Sequence, residues 1–151
     1  MTGRIPRVTK TQALVIRHRR LGDAGRIVTL LTPNRGKLDV VAKGVLRPRS
    51  KLAGHLEPAT EVDVLLAHGR EMDIVTGAQT RNMFIGLREN LDRLSAALYL
   101  SELCDRFTVK HIDTQSVYEL LYRSLVRLER GDGLHLATRR FELVLLEVTG
   151  F

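Results

Sequence analysis

Lys43, Arg47, Arg49 and Lys51 fall within nine residues of the stretch VAKGVLRPRSKLAGHLEP (41–58), where no acid appears before Glu57. Gly44 and Pro48 shape the segment, and Ser50 adds a hydroxyl donor. Cations at this density with no counter-charge of their own suit a polyanion, and phosphate is the anion that Lys and Arg neutralise with release of bound counterions. Arg17, Arg19 and Arg20 form a second basic group at a strand end, and Arg35 and Lys37 a third beside a turn. The asymmetry holds along the whole chain. Residues 1–56 carry 13 Lys or Arg against only Asp23 and Asp39, whereas residues 80–151 carry ten of each sign. The net charge of +7 therefore belongs to the first half, as expected of a nucleic-acid-binding surface. There is no Trp, and no aromatic residue precedes Phe84. Base stacking is thus not the main mode in this half, and the grip should fall on the backbone of single and double strands alike.

Catalytic chemistry finds less support. Cys104, the single cysteine, sits on or near the apolar face of a helical segment, where a thiol is buried and inert. One cysteine allows no intramolecular disulfide, which fits a reducing, cytosolic compartment. His18, His55, His68, His111 and His135 are scattered, without the i, i+4 spacing of helical metal ligands. Glu61 and Asp63 share one face of a strand and could hold Mg²⁺, but no phosphate-cradling glycine loop accompanies them, and NRGK (34–37) is a turn. No cofactor is expected within these 151 residues.

The elements that must position the basic groups change period halfway along the chain. ALVIRH (13–18), RIVTLLT (26–32), LDVVAK (38–43), EVDVLLA (61–67) and DIVTGAQT (73–80) read as strands, with PNRG and HGRE as hairpin turns. Five short strands in about 80 residues favour a small barrel or sandwich over an open sheet, and a barrel also removes exposed edges; the basic loop falls between the third and fourth strands. Three helices follow. The spacing predicts residues 90–107 with Asn90 as cap and a stripe of Leu91, Leu94, Leu98 and Phe107. Residues 113–131 start at Asp113 or Thr114, have Ser116 and Glu119 at capping-box spacing, bury Val117, Leu121, Leu125 and Leu128, and end at Gly131. Residues 134–150 carry Leu134, Ala137, Phe141, Leu145 and Val148 and end at Gly150. The expected class is α+β: a five-stranded barrel in residues 1–81, then a helical domain in 82–151. On the second helix, Tyr118, Tyr122, Arg123, Arg127 and Arg130 are expected on exposed positions, a basic and aromatic surface for an acidic peptide with an apolar tip.

The segments DAGRIVTLLTPNRGKL, VAKGVLRPRSKL and FELVLLEVTGF, in that order, resemble the bacterial recombination-mediator family RecO over roughly residues 8–151. The resemblance implies an N-terminal OB barrel and a helical domain. It also implies binding of single- and double-stranded DNA, annealing of complementary strands, and a role with RecR in loading RecA onto strands covered by single-stranded-DNA-binding protein, whose acidic tail is a further partner. By position, Lys43, Arg47, Arg49 and Lys51 fall on the family's basic segment and Arg35 and Lys37 on its hairpin, while Arg17, Arg19 and Arg20 match more loosely. Many members continue past the Gly-Phe pair with paired cysteines that bind zinc. The resemblance therefore implies zinc only in longer forms, a fragment or truncated chain here, and a bacterial cytoplasmic, nucleoid-associated location with no membrane partner. The alternatives are an RNA- or ribosome-associated OB module, a metal-dependent nuclease using Glu61 and Asp63, and an adaptor whose basic half meets an acidic protein.

Overall fold

The computed structural model describes residues 7–110 and 114–151. Five strands, β1 (Val8–Leu21), β2 (Gly25–Leu31), β3 (Lys37–Ala42), β4 (Thr60–Ala67) and β5 (Ile74–Asn82), close a barrel in the order β1-β2-β3-β5-β4. The expected OB-type α+β architecture is the one observed. The first strand is 14 residues long because it serves two neighbours. Its first half pairs antiparallel with β4 and its second half with β2. A bulge between Val15 and Arg17 supplies the bend that closure needs. The parallel pair Val41 and Ile74 joins β3 to β5.

Side-chain alternation along β1 divides two cores. Ala13 and Val15 point into the barrel with Val28, Leu30, Val40, Val62, Val64 and Leu66. Leu14 and Ile16 point the other way and pack, with Leu31, under the helices. Four helices follow: α1 (Ile85–Arg88), α2 (Leu91–Phe107), α3 (Gln115–Arg130) and α4 (Leu134–Val148). The short α1 occupies the expected joint. It begins after Phe84, which is fully buried and adopts φ +49°. Asn82 fixes that turn, its Oδ1 accepting from the Phe84 amide at 2.8 Å. The Phe84 ring meets Tyr122 edge-on, 5.7 Å between centroids.

One side-chain cap and two left-handed glycines mark three of the helix ends. Asn90 accepts from the Arg93 amide at 3.0 Å. Gly131 closes α3 at φ +87°. Gly150, at φ +86°, follows α4, with the Phe151 amide donating to the Leu146 carbonyl at 2.8 Å. Thr114 precedes α3, but its hydroxyl donates instead to the Thr32 carbonyl of the barrel, 2.6 Å away. Asp113, the other predicted cap, lies outside the described residues. Two apolar stripes differ from expectation: on α4 Val148 is exposed at its end, and on α2 the change is larger. Leu91 is 78% and Leu98 41% exposed, and α2 buries Ala97, Leu100, Ser101 and Cys104 instead. Leucines lie on every side of this helix, and the face with the small residues allows the closest approach. Burial pushes the Cys104 thiol well above its ordinary pKa, so it is inert.

Polar contacts lock barrel and helices together. Lys37 Nζ donates to the carbonyls of Asp105 and Thr108, each at 2.7 Å, and to the Asp105 carboxylate at 3.1 Å. Tyr118 donates to Glu61 at 2.9 Å and accepts from Gln12 at 3.0 Å. Among the described residues no helix is long and apolar enough to cross a membrane.

Candidate nucleic-acid interface

The basic stretch 43–59 is a packed cap over one end of the barrel. At Gly44 (φ +63°) the chain turns, and the amides of Arg47 and Ser50 donate to the carbonyls of Gly44 and Arg47. Two apolar anchors drop from it into the barrel core, Val45 and Leu56, essentially without exposure. The Leu46 amide donates to Ala24 in the β1–β2 turn at 2.9 Å. His55 Nδ1 accepts from the Thr80 amide at 3.1 Å. The segment ends at Ala59, whose amide donates to Val15 at 2.8 Å and whose φ is +60°. Arg88 on α1 holds this end, one NH2 group donating to the carbonyls of Pro58 and Ala59, each at 3.0 Å, and to the Thr60 hydroxyl at 2.8 Å. Its half-buried position lowers the guanidinium pKa by desolvation, which the Glu57 charge partly offsets.

On this scaffold Lys43, Arg47, Arg49 and Lys51 are exposed, and none has an ion pair or hydrogen bond from its side chain among the described residues. Glu57, the one acid of the segment, is neutralised by Arg26 at 3.5 Å and contacts His18 at 3.2 Å. Those two partners have no sequence signal beyond their type; the strand register places them. Ser50 accepts from the Leu52 amide at 3.2 Å and keeps its hydroxyl proton. Arg20 joins the group. It is tied to the β1–β2 turn by bonds to the carbonyls of Gly22 and Asp23, 3.1 and 2.6 Å, and that turn touches the cap at Leu46. Arg17 and Arg19 lie further along the outer face of β1, 3.4 Å from Asp105 and 4.0 Å from Asp39, respectively. Burial works to raise the Asp39 carboxyl pKa. Hydrogen bonds from Lys110 and Thr29, with the charges of Lys110 and Arg19, outweigh it and leave the group below its ordinary value.

The hairpin residues do not converge with the cap. Register pairs Arg26 with Ala42 and Leu31 with Lys37, so the 32–36 turn lies at the opposite end of β2 and β3. Six to seven residues of strand separate the two ends by about 20 Å. Arg35 is there, bonded to Thr11 at 2.8 Å and 3.7 Å from Asp73. Lys37 is buried under the end of α2 with its three donors used, so it is a domain fastener and its ammonium does not reach a surface. The carboxylates considered for Mg²⁺ are also committed. Arg81 contacts Asp63 at 3.3 Å and Glu61 at 3.6 Å, and Tyr118 and Gln12 occupy Glu61. No group of three His, Cys, Asp or Glu suited to a metal occurs among the described residues.

Of the five residues expected on the exposed side of α3, Arg123 and Arg130 are exposed, and Tyr122 and Arg127 are half-buried, the Tyr122 ring lying against the core. Tyr118 is the correction: it is 5% exposed, because it stands on the same stripe as Leu121 and Leu125 and its hydroxyl is spent on Glu61. Burial, with the adjoining carboxylate, pushes its phenol pKa up. Tyr122, Arg123, Arg127 and Arg130 border a shallow hollow on α3. Beside it a groove of 260 Å³ runs between α3 and α4, with Leu120, Val144 and Val148 as apolar lining and a polar lining of Arg123, Arg127 and Arg140 with Ser116 and a single carboxylate, Glu119. Those three arginines have no acidic partner among the described residues.

A five-stranded barrel of OB order, joined to a helical domain and capped by a basic segment whose cations have no acidic partner among the described residues, defines an OB-fold protein with an unneutralised basic face. Comparison with known proteins sharpens this. The family model described as Recombination protein O N terminal matches residues 7–84, and that described as Recombination protein O C terminal matches residues 88–151. The chain belongs to the RecO family. It is 37% identical over 146 residues to the DNA repair protein RecO of Dehalococcoides mccartyi, covering 97% of this chain and 58% of that one. It is 39% identical over 145 residues to the DNA repair protein RecO of a Roseiflexus species, covering 96% and 51%. The Nocardioides protein of the same description is 44% identical over 129 residues, covering 82% and 53%. The chain spans about half the length of the curated relatives it matches.

Proposed function

We propose that this chain is the DNA-binding portion of a repair and recombination mediator that grips single and double strands by their phosphates and anneals complementary strands without catalysing a covalent step. The observation that carries this reading is the packed cap with four cations that no carboxylate of the described residues satisfies. Two strands lying on such a surface repel each other less, so pairing nucleates sooner. An RNA- or ribosome-associated module remains the alternative that bare charge does not separate. Annealing of complementary DNA oligonucleotides, followed by dye release, tests the reading. The chain is expected to accelerate annealing at 50 mM salt and to lose most of that acceleration at about 200 mM. An annealing rate equal to the uncatalysed one at both salts, or acceleration with RNA alone, contradicts it.

Family membership supports a wider role with RecR and in RecA loading on strands coated by single-stranded-DNA-binding protein, and zinc bound by a cysteine segment in longer forms. The α3–α4 groove suits the acidic tail of the single-strand-binding protein: apolar lining takes an apolar tip and the three free arginines take carboxylates. A labelled acidic peptide with an aromatic C-terminal residue is expected to bind, and Arg123→Glu with Arg127→Glu to weaken it about a hundredfold by charge reversal. Equal binding by the reversed variant places the tail elsewhere.

A further inference from the structure

A cleft of 470 Å³ opens between β1 and α2, beside the end of the basic cap. Ile16, Pro58 and Leu98 give it an apolar lining, and Arg17, Glu102, Asp105 and Arg106 its polar rim. We propose that this cleft takes one unpaired nucleobase of a strand whose phosphates lie on the cap, and so distinguishes single strands from duplex. The proposal rests on the DNA-binding reading above and adds a subsite to it.

Three observations converge on a base as the occupant. The first is position. Pro58 is itself part of the cap, and His18, which also borders the cleft, contacts Glu57 of the same segment. From Arg17 the strand runs three residues to Arg20 at the cap, about 10 Å at the usual rise. The second is charge. Arg17 is matched by Asp105 at 3.4 Å and Arg106 by Glu102 at 2.8 Å, so the cleft is neutral while the neighbouring cap is strongly basic. A phosphate gains more on the cap than in the cleft. A base is neutral and needs an apolar face, a flat cation to stack on and acceptors for its amino groups. The arginine planes remain open to stacking, with 53% and 71% of their side chains exposed, and Glu102, 57% exposed, can accept from an exocyclic amine. The third is the exposed leucine. Leu98 is 41% exposed at the cleft, and with no aromatic residue in the barrel half this is an apolar platform within reach of the cap. Duplex DNA keeps its bases stacked and does not fill the site without unpairing.

The test compares three probes of equal length at one salt concentration: a single strand with bases, the same strand with abasic sites throughout, and a duplex. The chain is expected to bind the base-bearing strand about tenfold more tightly than the abasic one. Leu98→Gln should remove that preference and leave affinity for the abasic strand and the duplex unchanged. Because the chain has no tryptophan, Leu98→Trp places a single reporter in the cleft. Its fluorescence should be quenched by the base-bearing strand and not by the abasic one at matched saturation. Equal wild-type affinity for the two strands, a Leu98→Gln variant that keeps the preference, or identical reporter signals overturn the subsite alone. Failure of the wild-type chain to bind any of the three overturns the DNA-binding reading with it.

Discussion

Lys37→Met is expected to destabilise the fold by about 3 kcal/mol and to leave DNA affinity within twofold of the parent. The side chain is 10% exposed, and its ammonium donates to two backbone carbonyls and the Asp105 carboxylate at the end of α2. Removing it strands three acceptors in a place that water barely reaches, and breaking a buried pair in this way costs roughly 3–5 kcal/mol. Arg17 still reaches Asp105 at 3.4 Å, which argues for the lower end. For a chain of this size the melting temperature should fall roughly 6–12 °C. Thermal melts followed by circular dichroism, with DNA titrations well below the transition, separate the two properties. An unchanged melting temperature with weakened DNA binding would show that Lys37 contacts phosphate.

Phe84→Ala should have a larger effect, about 3–5 kcal/mol. The ring is fully buried where barrel and helices meet and packs edge-on against Tyr122. Its loss removes transfer energy and leaves a cavity. The backbone adds a finer expectation. At φ +49° any residue with a Cβ is strained, so Phe84→Gly should be no worse than Phe84→Ala and better by up to about 1 kcal/mol, less Gly's greater unfolded-state freedom. Urea unfolding of both variants decides this. A glycine variant clearly less stable than the alanine one would mean that the left-handed turn is not a source of strain.

Much of this architecture is legible in the sequence because local and tertiary signals agree. Strand composition and the PNRG turn define five strands and their hairpins, and α3 announces itself through Val117, Leu121, Leu125 and Leu128, all buried. Tyr118 is readable from the same period, since it precedes Leu121 by three residues and Leu125 by seven and so joins their stripe. The cap is half legible. Its cations stand out, while Val45 and Leu56, which turn a loose arm into a packed lid, look like ordinary loop residues until the barrel closes beneath them. Arg88 could not have been found, because an arginine that holds backbone carbonyls needs no partner residue type. The separation of Arg35 and Lys37 from the cap, by contrast, is readable, since the predicted third strand runs from the turn to the cap and sets the two at its opposite ends.

The central claim is that the cap grips phosphate through Arg47, Arg49 and Lys51. It is tested most directly by titrating fluorescent single- and double-stranded oligonucleotides at several salt concentrations with the parent chain and with the combined Arg47→Ala, Arg49→Ala, Lys51→Ala variant. These side chains are exposed and unpaired among the described residues, so the variant should fold with unchanged stability. Its affinity at 50 mM salt should fall about 10–100-fold, and its salt slope should shrink by about 2 on single strands and nearly 3 on duplex. Equal affinity and an equal slope in parent and variant would contradict the account and move the DNA contact off the cap.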